Sequence, residues 1–142
     1  MSQVDFYVLN ASGETNRQRF ACRLAEKAYR LQNTVHIQVA DQQSATQLDE
    51  LLWTFRDGSF VPHEVLENSA AKGVSPVTIS IDSLPAGNCD LLINLSNGMP
   101  KDSAAFPRVA EIVTSDDESK KRSRQHFAEY RSEGHKLDSH KL

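Results

Sequence analysis

Cysteine is scarce in this chain. Cys22 and Cys89 are the only two, far apart and outside any Cys-x-x-Cys or His-rich setting. That argues against a disulfide scaffold or a structural zinc site and points to a reducing, cytoplasmic setting. No apolar run approaches the ~18 residues of a membrane span. The opening Met-Ser-Gln-Val-Asp-Phe-Tyr lacks the basic-then-apolar layout of an export signal. Aromatic residues make up only 7% of the chain, so any place where they cluster carries information. What is present is 142 residues with 39% apolar and 25% charged side chains, enough for one domain with a real core.

The net charge of −3 is unevenly spread. Residues 1–119 hold nine Lys/Arg against 16 Asp/Glu, a balance of −7, whereas residues 120–142 hold seven against three, a balance of +4. An acidic body repels a nucleic-acid backbone, while one basic end suits a local anionic partner.

Periodicity predicts strands over residues 4–9, 34–39, 77–81, 91–95 and 109–113. Between the first two, Phe20, Leu24, Ala28 and Leu31 recur at helical steps with Ala21 and Ala25 beside them. Asp41 is a candidate N-cap for a second helix with Ala45, Leu48, Leu51 and Leu52 inward. Residues 66–75 are polar and small and read as an exposed, mobile connection. Ser115 with Glu118 matches a capping box, with Asp116 and Asp117 where the helix dipole favours acids. That last helix should run to about Glu133 and stop at Gly134. Such alternation implies a single α/β domain over residues 1–135, with a mostly parallel sheet flanked by helices, and a C-terminal tail over 136–142.

Motifs for chemistry are missing where an α/β fold would carry them. The turn Asn10-Ala11-Ser12-Gly13-Glu14-Thr15 has one glycine, no P-loop lysine and a glutamate where phosphate would lie. No Gly-x-Ser-x-Gly elbow occurs. His36, His63, His126, His135 and His140 have no metal-ligand spacing with one another, a cysteine or a carboxylate. No catalytic residue, metal or cofactor is expected, and two readings outside this one stay open: a direct single-stranded DNA binder and a nucleotide-dependent α/β enzyme.

Two segments are richer than a plain domain needs. Trp53, Phe55 and Phe60 crowd with Val61, Pro62 and His63 into a stretch that leaves a helix and crosses a turn. These residues either plug the core or present a docking anchor. In the last helix, Lys120, Arg124, Phe127, Tyr130, Arg131 and Gly134 fall on neighbouring rows. Rings and cations on one face suit a short acidic peptide ending in an aromatic, unless the face simply packs on the sheet.

The segments Phe6-Tyr7-Val8-Leu9, Leu48-Asp49-Glu50-Leu51-Leu52-Trp53, Ser59-Phe60-Val61-Pro62-His63, Asp90-Leu91-Leu92-Ile93-Asn94-Leu95 and Phe127-Ala128-Glu129-Tyr130-Arg131-Ser132-Glu133-Gly134 together resemble the chi subunit of bacterial DNA polymerase III, in order along nearly the whole chain. The resemblance implies a nucleotide-binding-like α/β fold without a nucleotide site. It further implies a non-catalytic accessory of the clamp-loader complex in DNA replication, with DNA contact only indirect. By matched position it makes Trp53, Phe60, Val61, Pro62 and His63 a surface for the psi subunit, with a helicase as an alternative partner there. It makes Val113, Lys120, Arg124, Phe127, Tyr130, Arg131 and Gly134 a pocket for the acidic, phenylalanine-ended C-terminal tail of single-stranded DNA-binding protein (SSB). This chain departs from the family pattern at Thr114-Ser115, in place of a Pro–aromatic pair, and at His135, where an aromatic commonly follows the glycine.

Overall fold

The computed structural model describes residues 2–55, 58, 60–66, 75–81, 89–100 and 103–142. Seven parallel strands form one sheet: β1 (Gln3–Val8), β2 (Val35–Val39), β3 (His63–Val65), β4 (Val77–Ser80), β5 (Leu91–Leu95), β6 (Arg108–Val113) and β7 (Lys136–Lys141), in the order β3-β4-β2-β5-β6-β1-β7. Three helices flank it, α1 (Glu14–Arg30), α2 (Gln42–Thr54) and α3 (Asp117–Ser132). This is the single-domain α/β architecture with helices over a parallel sheet that the strand–helix alternation predicts. Most of the expected 66–75 connection lies outside the described residues.

Side-chain alternation along each strand divides the core into two layers. On one face, Tyr7, Ile37, Ile93, Ala110 and Ile112 pack with α1 and α2. On the other, Val4, Phe6, Leu92, Val109 and Val113 pack with Phe127 and Tyr130 of α3. α1 meets the sheet through Ala21, Cys22, Ala25 and Ala28, small enough for close approach. The expected apolar stripe is therefore rotated: Phe20 and Leu24 lie at its margin and Leu31 is 66% exposed. Leu31 falls just beyond the helix, where the chain turns back through Gln32 at φ 65°, with the Gln32 and Asn33 N–H groups donated to Tyr29 and Ala28 carbonyls.

Asp41 caps α2 as expected, its Oδ1 accepting from the Ser44 N–H at 2.7 Å. α3 begins differently from the Ser115 capping box. Its N-cap position is Asp116, whose carboxylate turns away to accept from the Gly13 N–H (2.9 Å) and the Thr114 hydroxyl (2.7 Å). Those bonds hold the Asp116 carboxyl below its ordinary pKa and tie the loop after β1 to the start of α3. At the other end Gly134 takes φ 87°, closing α3 where glycine tolerates it.

Two strands were not legible in advance. β3 has three half-buried residues, too short for a periodic signal. β7 occupies residues 136–141, where the sequence suggests only a tail, and pairs with β1 along six residues from Gln3↔Lys136 to Val8↔Lys141. Side chains reinforce that pairing. The buried Asp5 carboxylate accepts from Arg108 Nη2 (3.0 Å) and Gln3 Nε2 (3.1 Å), and His140 Nε2 lies 3.0 Å away. His140 also stacks on Tyr7, with ring centroids 5.1 Å apart.

Burial pushes the Asp5 carboxyl up, but the His140, Gln3 and Arg108 contacts outweigh it and hold its pKa below the ordinary 3.8. A depressed folded pKa means stabilisation that is full above 3.8 and is lost as pH falls through the folded value. Asp5→Asn should therefore lower the thermal midpoint at pH 7, and the gap to wild type should narrow below pH 3.8. Calorimetric scans of both proteins across that range check the expectation.

Candidate protein-interaction sites

In open α/β sheets, ligands usually enter a crevice at the carboxyl ends of the strands. Here Arg17 of α1, only 4% exposed, runs into that position. Its Nε donates to Ile112 O (3.2 Å), Nη1 to Leu95 O (3.1 Å), and Nη2 to Asn94 and Ser96 O (both 3.4 Å). Glu14 pairs with Nη1 at 3.1 Å. The guanidinium thus satisfies strand-end carbonyls and fills the crevice, leaving beside it a hollow of about 10 Å³, room for roughly one water. The Gly13 N–H at the mouth of α1, which an anion would use, already serves Asp116. Both thiols sit in the core; burial raises Cys22 to about 12 and also raises Cys89, so neither is a ready nucleophile. Among the described residues, no three His, Cys, Asp or Glu side chains are grouped to hold a metal.

The aromatic segment forms a surface. Trp53 at the end of α2 is 56% exposed and Phe60 is 61% exposed, with ring centroids 5.5 Å apart. His63 of β3 supports them from below: its ring is closed off from solvent and lies 4.9 Å from the Trp53 ring. His63 Nδ1 meets Val61 O at 2.7 Å, and Nε2 lies 3.0 Å from Asp49 Oδ1. Val61 is fully buried in the α1–α2 layer and Pro62 is half-buried. Of the five residues expected there, Trp53 and Phe60 are the exposed anchors; Val61 belongs to the core.

α3 divides its residues by row. Its inward row holds His126 and Tyr130, and both reach Glu111 of β6, itself buried. The Tyr130 hydroxyl donates to Glu111 Oε2 at 2.6 Å, Asn94 Nδ2 donates to the same oxygen at 2.7 Å, and His126 Nδ1 lies 3.2 Å from Oε1. Tyr130 is completely buried, so it stands beneath the expected pocket rather than forming its wall. Burial, then the Glu111 charge, push its phenol pKa upward, keeping the proton it donates. Val113 is likewise buried below the helix.

Lys120, Arg124, Phe127 and Arg131 stand at i, i+4, i+7 and i+11, one continuous flank. The three cations are exposed and Phe127 is half-buried. This flank leans toward β1 and β7, because Phe127 packs 5.4 Å from the Phe6 ring and alongside Leu137. At its lower end Phe127, Arg131, His135 and Leu137 line a hollow of about 270 Å³, just past the turn at Gly134. His135 is fixed there, its Nδ1 accepting from the Ser2 N–H at 3.1 Å. The departure at His135 falls in this lining, whereas sequence reasoning missed Leu137, since only the β7 pairing brings it under the helix end.

The family profile described as DNA polymerase III chi subunit, HolC, matches residues 1–138. The chain belongs to this chi-subunit family. It is 38% identical over 142 residues to the DNA polymerase III subunit chi of Pseudomonas aeruginosa, covering all of this chain and 98% of that protein. The same-named proteins of Haemophilus influenzae (30% over 135 residues, 94% of this chain and 93% of that one) and Escherichia coli (29% over 144 residues, 98% and 97%) are similar over comparable spans. The fold described above is thus that of a chi subunit, a replication accessory of DNA polymerase III. In this chi chain the Glu111 cluster decides how α3 sits. Tyr130→Phe should cost about 1.5–3 kcal/mol of stability, as expected for a buried hydrogen bond to a charged acceptor. Urea unfolding of the variant measures it.

Proposed function

We propose that this chi subunit is a non-catalytic connector in the polymerase III clamp-loader complex, binding the psi subunit at one surface and the C-terminal tail of SSB at another. The observation that carries the reading is the flank of Lys120, Arg124, Phe127 and Arg131 ending in the hollow beside His135 and Leu137. A phenylalanine ring suits the Phe127–Leu137 walls, and guanidinium and ammonium groups pair with its carboxylates. Gly134 shapes the turn that opens the hollow, while Tyr130 and Val113 support it from within. Trp53 and Phe60 supply the aromatic anchors suited to psi, or to a helicase in its place.

The placement of the two surfaces fits a connector. Trp53 and Phe60 adjoin β3, one edge of the sheet, on the α2 face; the cationic flank stands near β7, the other edge, on the opposite face. Seven strands at about 4.8 Å spacing set them roughly 29 Å apart, so both partners can be held at once. The crevice filled by Arg17 argues against nucleotide chemistry, and the −7 balance over residues 1–119 argues against direct DNA binding.

Arg124→Ala should weaken binding of a synthetic SSB-tail peptide by about 1.5–3 kcal/mol, and rising salt should weaken the wild-type complex. Calorimetric titration tests both; equal affinity in the variant refutes the tail site. Phe60→Ala should abolish co-purification with psi while leaving tail affinity intact. Because Phe60 is exposed, the variant is expected to fold, and psi binding that survives the change would show the surface to lie elsewhere.

A further inference from the structure

The outer edge of β7 is open. β7 ends the strand order, and among the described residues no strand pairs with its far side. The direction of its backbone groups follows from the pairing with β1. Lys136 and Leu142 donate their N–H groups to Ser2 O and Val8 O, both at 3.0 Å. In a parallel pair alternate residues face the neighbour, so the N–H and C=O groups of Leu137, Ser139 and Lys141 point outward along the free edge. The outward groups of these three residues form a template for an added strand.

The edge adjoins the hollow and shares a residue with it. Leu137 both begins the outward series and lines the hollow with Phe127, Arg131 and His135. α3 runs back over the sheet between parallel β6 and β7. Arg131 therefore stands near the start of β7, with Lys120 about 16 Å back toward its end, by helical rise. The β7 strand covers a similar length, about 17 Å. Lys120, Arg124 and Arg131 thus follow the length of β7 along the flank of α3, and Lys136 and Lys141 stand at the two ends of the strand.

We propose that an acidic peptide ending in an aromatic residue adds to the edge of β7 as an eighth strand, antiparallel to it, with its terminal ring in the hollow. The inference rests on the tail-binding reading above and deepens it, by supplying backbone recognition for the residues upstream of the ring. Direction follows from position: a chain that ends beside Leu137 and lies on this edge arrives from the Lys141 end. Charge selects the occupant. Edge-to-edge pairing of two copies would bring the α3 cations and the terminal lysines of both together, so self-association is disfavoured while an acidic strand is attracted.

Ser139→Pro is the decisive variant. It deletes an outward N–H and leaves every bond to β1 in place, a substitution that edge strands tolerate. Calorimetry with a synthetic acidic peptide ending in phenylalanine should show at least about tenfold weaker binding to Ser139→Pro than to wild type. On wild type, the same peptide should slow amide exchange at Leu137, Ser139 and Lys141, and backbone N-methylation at alternate peptide positions should weaken it. If Arg124→Ala loses the peptide while Ser139→Pro binds like wild type and the three amides exchange unchanged, strand addition is overturned and the tail site stands. If wild type fails to bind the peptide, the tail site itself falls, and strand addition with it. Should circular dichroism show Ser139→Pro unfolded, the exchange and N-methylation measurements on wild type decide alone, protection with weakened N-methyl peptides supporting the inference and neither effect overturning it.

Discussion

The carboxylate of Glu111, buried and held by the Tyr130 hydroxyl, the Asn94 amide and a contact with His126, determines how the third helix meets the sheet. Apolar contact alone would orient it poorly, since Phe127, Ala128 and Tyr130 are the only apolar residues on that helix. A buried carboxylate is costly unless its lone pairs are used, which makes the arrangement selective. One rotation of α3 brings His126 and Tyr130 to Glu111, and that rotation turns Lys120, Arg124, Phe127 and Arg131 toward β1 and β7. The interior polar cluster therefore fixes the outward face, although all of its members are buried.

The sheet supplies the rest of the geometry. Every described strand is parallel, so each helix is a crossover that covers one face of the sheet. With α1 and α2 on one side and α3 on the other, the exposed aromatic pair and the cationic flank fall on opposite faces and near opposite edges. The two places are thus separate surfaces. The polar strand β7 completes the second place by bringing Leu137 beneath Phe127.

Much of this was legible in the residues. Apolar periodicity identified five of the described strands and the first two helices, the acids and closing glycine around Asp117–Ser132 identified the third, and Asp41 announced its cap through a bond it does make. The capping box at Ser115 misled because Asp116 has a better use across the loop, at Gly13, and a local pattern cannot report a partner 103 residues away. β7 was invisible because Lys-Leu-Asp-Ser-His-Lys has one apolar residue; it is a strand through its ladder to β1 and the Asp5–His140 contact, both non-local. For the candidate sites, helical spacing grouped with Phe127 the same cations that share its flank on the helix. It could not tell that Tyr130 faces inward, because an aromatic on either row reads alike until Glu111 is placed. Val61 shows the same ambiguity in the other segment, buried beside a neighbour that is not.

The guanidinium lodged between the ends of β5 and β6 has a mechanical meaning. Proteins of this architecture that take a small molecule there must leave the gap able to widen and narrow. In this chain the gap is stitched shut by a planar group of fixed donors, bonded to carbonyls on both strands and on the segment beyond. The sheet is consequently pinned across its middle, with the carboxyl ends of β5 and β6 held at a set spacing by one side chain of the first helix.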